Sequence, residues 1–466
     1  MDSFKSLVLA AEIILPNCAL KQGSILMRIT VVVRSFSNGL KPLINLKEML
    51  KDPGKLKQNA LERKMSVNVE LIEELNQKRV EFSKSLVILN SQRKSSESTT
   101  LDSRIKRKEI MKSLNDVEDQ ILTEISTLPN WSADESPIEE NFIIKQSPAD
   151  FDSKDHKRAA DHMDICKKFD LVDFEGPAKT TGAHFYALKG VTALMEIALT
   201  GWAMNRAIRK GFMPISTPDC VRERFVVGCG FQPRRANKSS ENNSSLPVYT
   251  INEPEKGDDP LVLAGTSEMF LAAQHNNQIL KTLPLKYVGV SHCFRSEVGH
   301  HTAASRGLYR VHQFTKIELF VLSPADSSQT HFKEITELQS ELLDELKLPF
   351  RVLEMARWEL GAAASRKWDH EVWMPGRCIW GEVMSTSNCT DYQSRRLAIR
   401  YKNSEGELVF PHTLNGTACA VPRIIMALLE WGWNPETPEY LHLPASLEPF
   451  YPTTERKHNN LTIKFV

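Results

Sequence analysis

The stretch FRSEVGHHTAASRGLYRVHQFTKIE, residues 294–318, is the part of the sequence that predicts the fold. It follows a run rich in β-branched and aromatic residues from Lys286 to Phe294. It then passes through a polar loop from Val298 to Gly307 and enters a second such run from Leu308 to Leu322. Runs of this composition on either side of a Gly-containing loop are typical of paired strands, so the stretch predicts a long β-hairpin.

Three charged side chains of this hairpin are candidates for a binding site. Arg295 and Glu297 are two residues apart, so on a strand they point to the same face. Arg310 can join them from the return strand. A guanidinium suits phosphate because it donates two parallel hydrogen bonds, and a neighbouring carboxylate can accept from an exocyclic amine such as that of adenine. A surface hairpin with a cross-strand ion pair is the alternative interpretation.

The composition excludes few classes of function. The 466 residues contain 59 Lys and Arg against 58 Asp and Glu, so any contact with RNA must come from local patches. The length predicts roughly two to four domains. The 8 cysteines show no C-x-x-C pair, which argues against a disulfide scaffold or a cysteine-rich zinc site and favours a reducing compartment. No apolar run reaches the length of a membrane span, so we expect no membrane insertion.

Residues 1–42 have the composition of a mitochondrial presequence. From Met27 the chain reads MRITVVVRSFSNGLK, with Arg28, Arg34 and several hydroxylated residues, and no acidic residue stands between Met27 and Glu48. Transit peptides are basic, contain serine and are poor in acids. We therefore expect the protein in the mitochondrial matrix, with Met27 as a possible start of a shorter presequence. An N-terminus without a targeting role is the alternative.

Residues 43–130 predict a helical hairpin followed by a linker over 131–152 and a large domain over 153–466. Apolar residues recur at helical spacing in two segments: Leu71, Leu75, Phe82, Leu86 and Leu89, then Ile110, Leu114, Val117, Ile121 and Ile125. Narrow stripes are typical of two helices that share one seam, so we expect an antiparallel coiled-coil arm. The turn is basic, which suits phosphate contact, although a solvated charge run explains it equally well; its residues are Arg93, Lys94, Arg104, Lys106, Arg107 and Lys108.

Three further segments of the large domain pair a helix with a strand. Residues 193–208 predict a helix followed by a strand over 212–218, and residues 261–270 predict a strand that runs into a helix start. Residues 412–423 predict a strand, a small-residue turn and an apolar helix with Arg423 in its first turn. Without further information, helix capping at Thr266 and ordinary packing of a helix on a sheet explain these segments.

The sequence of the hairpin resembles motif 2 of the class II aminoacyl-tRNA synthetases, and motif 2 of the seryl-tRNA synthetases in particular. Residues 193–218 are similar to motif 1, which forms the dimer interface in that class, and residues 412–423 are similar to motif 3. The helical hairpin stands where seryl-tRNA synthetases carry the arm that grips the long variable arm of their tRNA. Over about residues 43–450 the resemblance implies an α+β protein: an antiparallel coiled-coil arm, then an antiparallel sheet flanked by helices, paired into a homodimer.

The resemblance also implies roles for individual residues. ATP would contact Arg295, Glu297, Arg310, Val311, Phe314, Glu382, Ser385 and Arg423, of which Arg295 and Arg423 would be catalytic. L-serine would contact Thr266, Glu268, Arg295, Glu318, Asn415 and Thr417. Mg²⁺ would be held by Glu382 and Ser385.

The implied reaction is ATP-dependent ligation of L-serine to tRNA(Ser) through seryl-adenylate, in mitochondrial translation. Gly381 and Met384 differ from the sequence pattern of the family, which commonly has arginine and serine at these positions. Both residues are close to Glu382 in the sequence. Two alternatives remain. One is another class II synthetase such as a threonyl enzyme, although the sequence shows no His/Cys cluster for the zinc ion that those enzymes use. The other is a degenerate synthetase-like protein that binds RNA or protein without aminoacylation.

Overall fold

The computed structural model describes residues 42–95, 101–231, 248–251, 259–296 and 307–466. The described residues form two compact units: a smaller one within 68–127, and a larger one made of 42–67 and of the residues from 128 onward. Residues 1–41 of the predicted presequence lie outside the described residues, and so do residues 297–306, which include Glu297 and most of the motif 2 loop. No described helix is long and apolar enough to cross a membrane.

The helices within the described residues are numbered in chain order. They are α1 (Leu46–Met49), α2 (Pro53–Glu62), α3 (Val69–Ser95), α4 (Leu101–Ser126), α5 (His162–Phe169), α6 (Glu175–Thr180), α7 (Val191–Arg209), α8 (Glu223–Gly228), α9 (Glu268–Ala273), α10 (Ser328–Glu345), α11 (Tyr392–Arg396) and α12 (Val421–Gly432).

The strands are numbered in the same way. They are β1 (Phe142–Ser147), β2 (Val172–Asp173), β3 (Ala187–Leu188), β4 (Met213–Ser216), β5 (Cys220–Arg222), β6 (Leu261–Leu263), β7 (Ile279–Leu280), β8 (Leu285–Phe294), β9 (Gln313–Ser323), β10 (Phe350–Glu354), β11 (Arg366–Met374), β12 (Ile379–Asn388), β13 (Arg400–Lys402), β14 (Leu408–Val409), β15 (His412–Ala420), β16 (Tyr440–Leu443), β17 (Lys457–His458) and β18 (Leu461–Phe465).

An eight-stranded sheet in the order β1-β10-β11-β12-β15-β9-β8-β4 forms the centre of the larger unit. All neighbouring strands run antiparallel except β4 and β8, which run parallel. Residues of α7, α10 and α12 form one hydrophobic core with the strands. The predicted class II architecture, an antiparallel sheet with helices, is thereby confirmed.

The predicted hairpin consists of β8 and β9, which pair from Leu285 opposite Leu322 to Phe294 opposite Gln313. These strands lie inside the sheet, so the alternative of a surface hairpin is wrong. The return strand begins at Gln313 rather than at Leu308, because residues 307–309 form a 3-10 turn. Arg310 therefore precedes the strand instead of standing on it.

The smaller unit consists of α3 and α4, which pack against each other. The two predicted apolar stripes lie on the less exposed sides of these helices. Leu75, Val117, Ile121 and Ile125 are buried, and the other stripe residues are half-buried. This supports a helical arm over 68–127.

The ends of the predicted arm belong to the larger unit, because a buried arginine ties them there. The Arg63 side chain donates to the backbone oxygens of Asn130 and Ala364, at 2.9 Å each. The predicted linker also differs from the structure, since it contains β1, which pairs with β10 at one edge of the main sheet. Charged and proline residues around this short strand concealed it.

Two β-bulges decide which side chains of β12 and β15 share a face. Glu382 is opposite Glu371, but Met384 is opposite His370, so Val383 is an extra residue. A single extra residue reverses the alternation of the strand. Glu382 and Ser385, three apart, consequently share one face, while Met384 joins the core.

Gln339 of α10 satisfies the backbone around both bulges. Its Nε2 donates to the backbone oxygens of Ser385 and Thr417, at 2.8 and 2.9 Å, and its Oε1 accepts from the Thr386 hydroxyl. Thr417 adjoins the β15 bulge, where Ala418 is the extra residue. Gly416 permits this approach, because a Cβ there would lie 2.4 Å from Ile335 Cγ2.

Replacing Gln339 tests the dependence of the sheet on this side chain. We expect Gln339→Leu to lower the free energy of unfolding by about 2–4 kcal/mol, because two buried carbonyls and a hydroxyl lose their partner. Denaturant unfolding of the purified protein measures the change. The control Glu337→Leu alters an exposed position of the same helix. Equal stability of the two variants would contradict the role of Gln339.

Candidate active site

One face of the main sheet gathers the polar residues that the sequence singled out. Strand register places Thr417 beside Glu318, and Glu318 beside Gly289. The β12 bulge places Glu382 and Ser385 on this same face. The opposite face carries Ile317, Leu319 and other apolar residues of the core. The candidate site therefore extends across β12, β15, β9 and β8.

Glu268 is brought to this face by the short helix α9. Its backbone N–H donates to the hydroxyl of Thr266 at 3.3 Å, and the N-cap residue is Ser267, whose side chain makes no capping hydrogen bond. The absence of a side chain at Gly289 lets the helix approach β8. A Cβ there would lie 3.0 Å from Ser267 Oγ.

The Glu268 carboxylate is buried and accepts two hydrogen bonds on one oxygen. Oε1 accepts from Asn415 Nδ2 at 2.9 Å and from Gln393 Nε2 at 2.6 Å. Burial, and then the negative charge of Glu318, raise the pKa of Glu268 to about 7. A positively charged ligand would stabilise the ionised carboxylate.

Glu318 is also buried, and Lys316 supplies its counter-charge. The two residues are two apart on β9, so they share the site face, and their side chains form an ion pair. Thr417 is opposite Glu318 and is itself almost fully buried. The two carboxylates, the Asn415 amide and the Thr417 hydroxyl form a small polar subsite.

Arg295 immediately follows β8. Its backbone N–H donates to His312 O at 3.0 Å, which extends the pairing of β8 and β9 by one residue pair. Its guanidinium lies over the ring of Phe314, at 5.2 Å from the ring centre. The positive charge of Arg295 lowers the pKa of both Glu268 and Glu382, opposing the effect of burial at each. Arg295 therefore acts on both ends of the site.

Arg423 and Glu382 form the second half of the site together with Tyr309. Arg423 Nη1 donates to Glu382 O at 2.7 Å and lies 3.4 Å from Glu382 Oε2. The guanidinium lies over the Tyr309 ring at 4.5 Å from its centre, and Glu382 N donates to the Tyr309 hydroxyl at 3.2 Å. The site thus presents an arginine and a carboxylate in fixed orientation.

Glu382 remains ionised although burial opposes its ionisation. Burial alone would raise its pKa, but the charges of Lys367, Arg423 and Arg295 outweigh burial and lower the pKa to about 2. Asp369, which is opposite Ser385, behaves in the opposite way. Burial raises the pKa of Asp369, despite its ion pair with Lys367 at 2.7 Å.

The donor set around Glu382 fits a magnesium ion that is bound together with a nucleotide. Among the described residues, no group of three or more His, Cys, Asp or Glu side chains could hold a metal by itself. Mg²⁺ is usually bound through one or two carboxylates plus substrate phosphates. One ionised carboxylate, with Ser385 on the same face, matches that requirement.

The remaining predicted ATP contacts are less central. Val311 is buried and Arg310 is half-buried, both between the 3-10 turn and β9.

The two differences from the family's sequence pattern, Gly381 and Met384, have structural explanations. A Cβ on Gly381 would lie 3.2 Å from Tyr309 Cε2, so a larger residue would displace that ring. Met384 points into the core.

Four site residues were not predicted from the sequence: Tyr309, Lys316, Lys367 and Gln393. Lys316 could have been found, because its spacing of two from Glu318 places it on the same face of a strand. Tyr309 stands in the stretch that predicted the fold, but its role depends on the 3-10 turn. Gln393 and Lys367 have no local sequence signal, since they meet the site only through tertiary structure.

Comparisons with known proteins identify relatives of this chain. Residues 249–431 match the family model described as the tRNA synthetase class II core domain (G, H, P, S and T). The serine–tRNA ligase of Treponema pallidum is 40% identical over 349 residues, which cover 72% of this chain and 76% of that protein. The serine–tRNA ligase of Dictyoglomus turgidum is 36% identical over 442 residues, covering 89% and 99%.

A solved structure is similar over nearly the same range. The seryl-tRNA synthetase from Pyrococcus horikoshii, complexed with ATP, aligns with a TM-score of 0.72 and 29% identity, covering 88% of this chain and 98% of that one. A relative at 36% identity over almost its whole length shows that the two chains share one family and one fold. The chain therefore belongs to the serine–tRNA ligase family of the class II aminoacyl-tRNA synthetases.

Proposed function

We propose that this protein is an active serine–tRNA ligase of the mitochondrial matrix. With ATP it converts L-serine to seryl-adenylate, and it then transfers the seryl group to tRNA(Ser). The observation that carries the proposal is the pair of buried carboxylates, Glu268 and Glu318, on the same sheet face as the arginine and carboxylate of a nucleotide site.

The proposed serine subsite relies on polar groups. Serine offers little apolar area, so several hydrogen bonds must hold it. Its ammonium group is attracted to Glu268 and Glu318. The Asn415 amide and the Thr417 hydroxyl lie beside these carboxylates and can bond with the hydroxyl of serine. Thr417 also carries a methyl group that narrows the subsite.

The proposed nucleotide subsite relies on positive charge. Arg295 contacts the α-phosphate, and Arg423 and Arg310 reach towards the γ-phosphate. Glu382 and Ser385 would hold Mg²⁺, which would offset negative charge on the phosphates. Phe314 lies under Arg295 and holds its guanidinium.

Catalysis then depends on position and charge. The serine carboxylate attacks the α-phosphorus, and the bond to pyrophosphate breaks. A ribose hydroxyl at the tRNA terminus next attacks the seryl carbonyl, and AMP leaves. Neither step needs a covalent intermediate on the protein. Two reactants held in line gain a large rate advantage from orientation alone, and Arg295 stabilises the charge that develops.

The helical arm and the motif 1 segment each present a surface for a partner. We propose that α3 and α4 form an antiparallel coiled coil that contacts tRNA(Ser). One shallow concavity on α4, where phosphates would meet positive charge, is lined by Arg104, Arg107, Lys108 and Lys112.

We also propose a homodimer through the motif 1 segment, where Ile197 of α7 and Met213 of β4 expose large apolar side chains.

Serine-dependent exchange of pyrophosphate into ATP tests the first reaction step. We expect exchange with serine and not with threonine. Arg295→Ala should reduce it roughly 100- to 1,000-fold, because a charge that stabilises the transition state is lost. The control Lys333→Ala removes an exposed cation from α10. Exchange near the unaltered rate in folded Arg295→Ala would contradict the mechanism. No exchange at all in the unaltered protein would favour a degenerate synthetase-like binding protein.

The pKa of Glu268 predicts a pH dependence. At low pH the carboxyl is protonated and neutral, so it attracts the serine ammonium only weakly; above its pKa it is ionised. We therefore expect kcat/KM for serine to rise with pH until about 7 and then to level off. Glu268→Gln should abolish the rise, whereas Glu337→Gln, an exposed control, should keep it. A flat profile in the unaltered enzyme would contradict this assignment.

The mitochondrial assignment is testable by imaging. Residues 1–45 fused to a fluorescent protein should enter mitochondria, because that segment is basic and nearly free of acids. Changing Arg28 and Arg34 to glutamate should abolish import. A second fusion that starts at Met27 tests whether the shorter segment suffices. A cytosolic signal from the unaltered fusion would overturn the assignment.

A further inference from the structure

Gln393 lies against the proposed serine subsite from the side of α11. Its Nε2 donates to Glu268 Oε1 at 2.6 Å and to Cys229 O at 3.2 Å, and the side chain is fully buried. We infer that Gln393 is a positioning residue for amino-acid recognition, which holds the Glu268 carboxylate in the orientation that receives the substrate's ammonium group. The inference rests on the proposed function.

The hydrogen bonds on Glu268 leave one oxygen for the substrate. Gln393 and Asn415 both donate to Oε1. Within the described part of the chain, Oε2 receives no hydrogen bond. One donor comes from β15 and the other from α11, and together they fix the plane of the carboxylate. Oε2 is then the atom that meets the ammonium group.

The orientation of the Gln393 amide is chemically determined. The backbone carbonyl of Cys229 only accepts hydrogen bonds, as does the ionised Glu268 carboxylate, so the NH₂ group must face them. Gln393 Oε1 is left buried without a partner among the described residues. An unpaired buried oxygen lowers stability, which indicates that the donors, not the amide as a whole, are required here.

The helix that carries Gln393 is anchored on its other sides. The Tyr392 hydroxyl donates to Leu128 O at 3.1 Å, and the Ser394 hydroxyl donates to Pro411 O at 2.7 Å. Neighbours on both sides of Gln393 are therefore tied to separate segments. A side chain with so little freedom can hold a carboxylate accurately, which is what an oriented binding site requires.

Two variants of Gln393 separate positioning from packing. Gln393→Met keeps the approximate volume without a donor, and Gln393→Glu keeps the shape but adds a carboxylate. We expect KM for serine to rise roughly 10- to 100-fold in Gln393→Met, as for the loss of a hydrogen bond to a charged group, and further in Gln393→Glu. KM for ATP should stay unchanged, and the rise of kcat/KM with pH should move to higher pH.

The matched control is Gln274→Met, since the Gln274 amide donates to a backbone oxygen, that of Leu271, at 3.1 Å. Thermal unfolding is measured for every variant. An unchanged KM for serine in both Gln393 variants would overturn the inference. So would a parallel rise in KM for serine and ATP, or variants that lose thermal stability while KM for serine stays unchanged. If the unaltered protein shows no serine-dependent exchange, the proposed function fails first, and this inference fails with it.

Discussion

Two carboxylates buried close together, Glu268 and Glu318, are the constraint on which the rest of the site depends. Removing a carboxylate from water is costly, and a second one nearby adds repulsion. The protein offsets this with the Lys316 ammonium, with the amides of Gln393 and Asn415, and with the field of Arg295. The compensation is incomplete, because the pKa of Glu268 remains raised to about 7. A substrate ammonium group would supply the missing positive charge.

The bulges in β12 and β15 make this arrangement possible. If β12 alternated regularly, without a bulge at Val383, Met384 would share a face with Glu382 and Ser385 would point into the core. The extra residues interrupt the strand ladder, and Gln339 then satisfies backbone oxygens from the opposite side of the sheet. Arg423 and Tyr309 enclose Glu382 on the site face. The core side and the site side of the sheet thus support each other.

The sequence predicted the elements of the site better than its connections. The hairpin of β8 and β9, the pairing of α7 with β4 and the stripes of the helical arm follow from local periodicity, and the structure has them. The roles of Glu268 and Asn415 came from resemblance, and the structure brings the two into contact. The position of Glu297 lies outside the described residues.

What the sequence could not predict arises from long-range contacts. Strand β1 was concealed in a segment of prolines and acids, because its pairing with β10 is decided some two hundred residues away. The bulge at Val383 has no local signal, and neither has the contact of Gln393 with Glu268. Gly381 differs from the family's sequence pattern, and the reason is visible only in the structure, where the Tyr309 ring lies against this position.

A crystal structure of the protein with the seryl sulfamoyl analogue of adenosine is the most direct test of the proposed site. The analogue carries both the ammonium group of serine and a neutral replacement for the α-phosphate. Our interpretation predicts that the ammonium nitrogen lies within hydrogen-bond distance of Glu268 Oε2, with Arg295 at the sulfamoyl group and Glu268 Oε1 still bound by Gln393 and Asn415. An analogue bound with its ammonium group away from Glu268, or bound outside this sheet face, would contradict it.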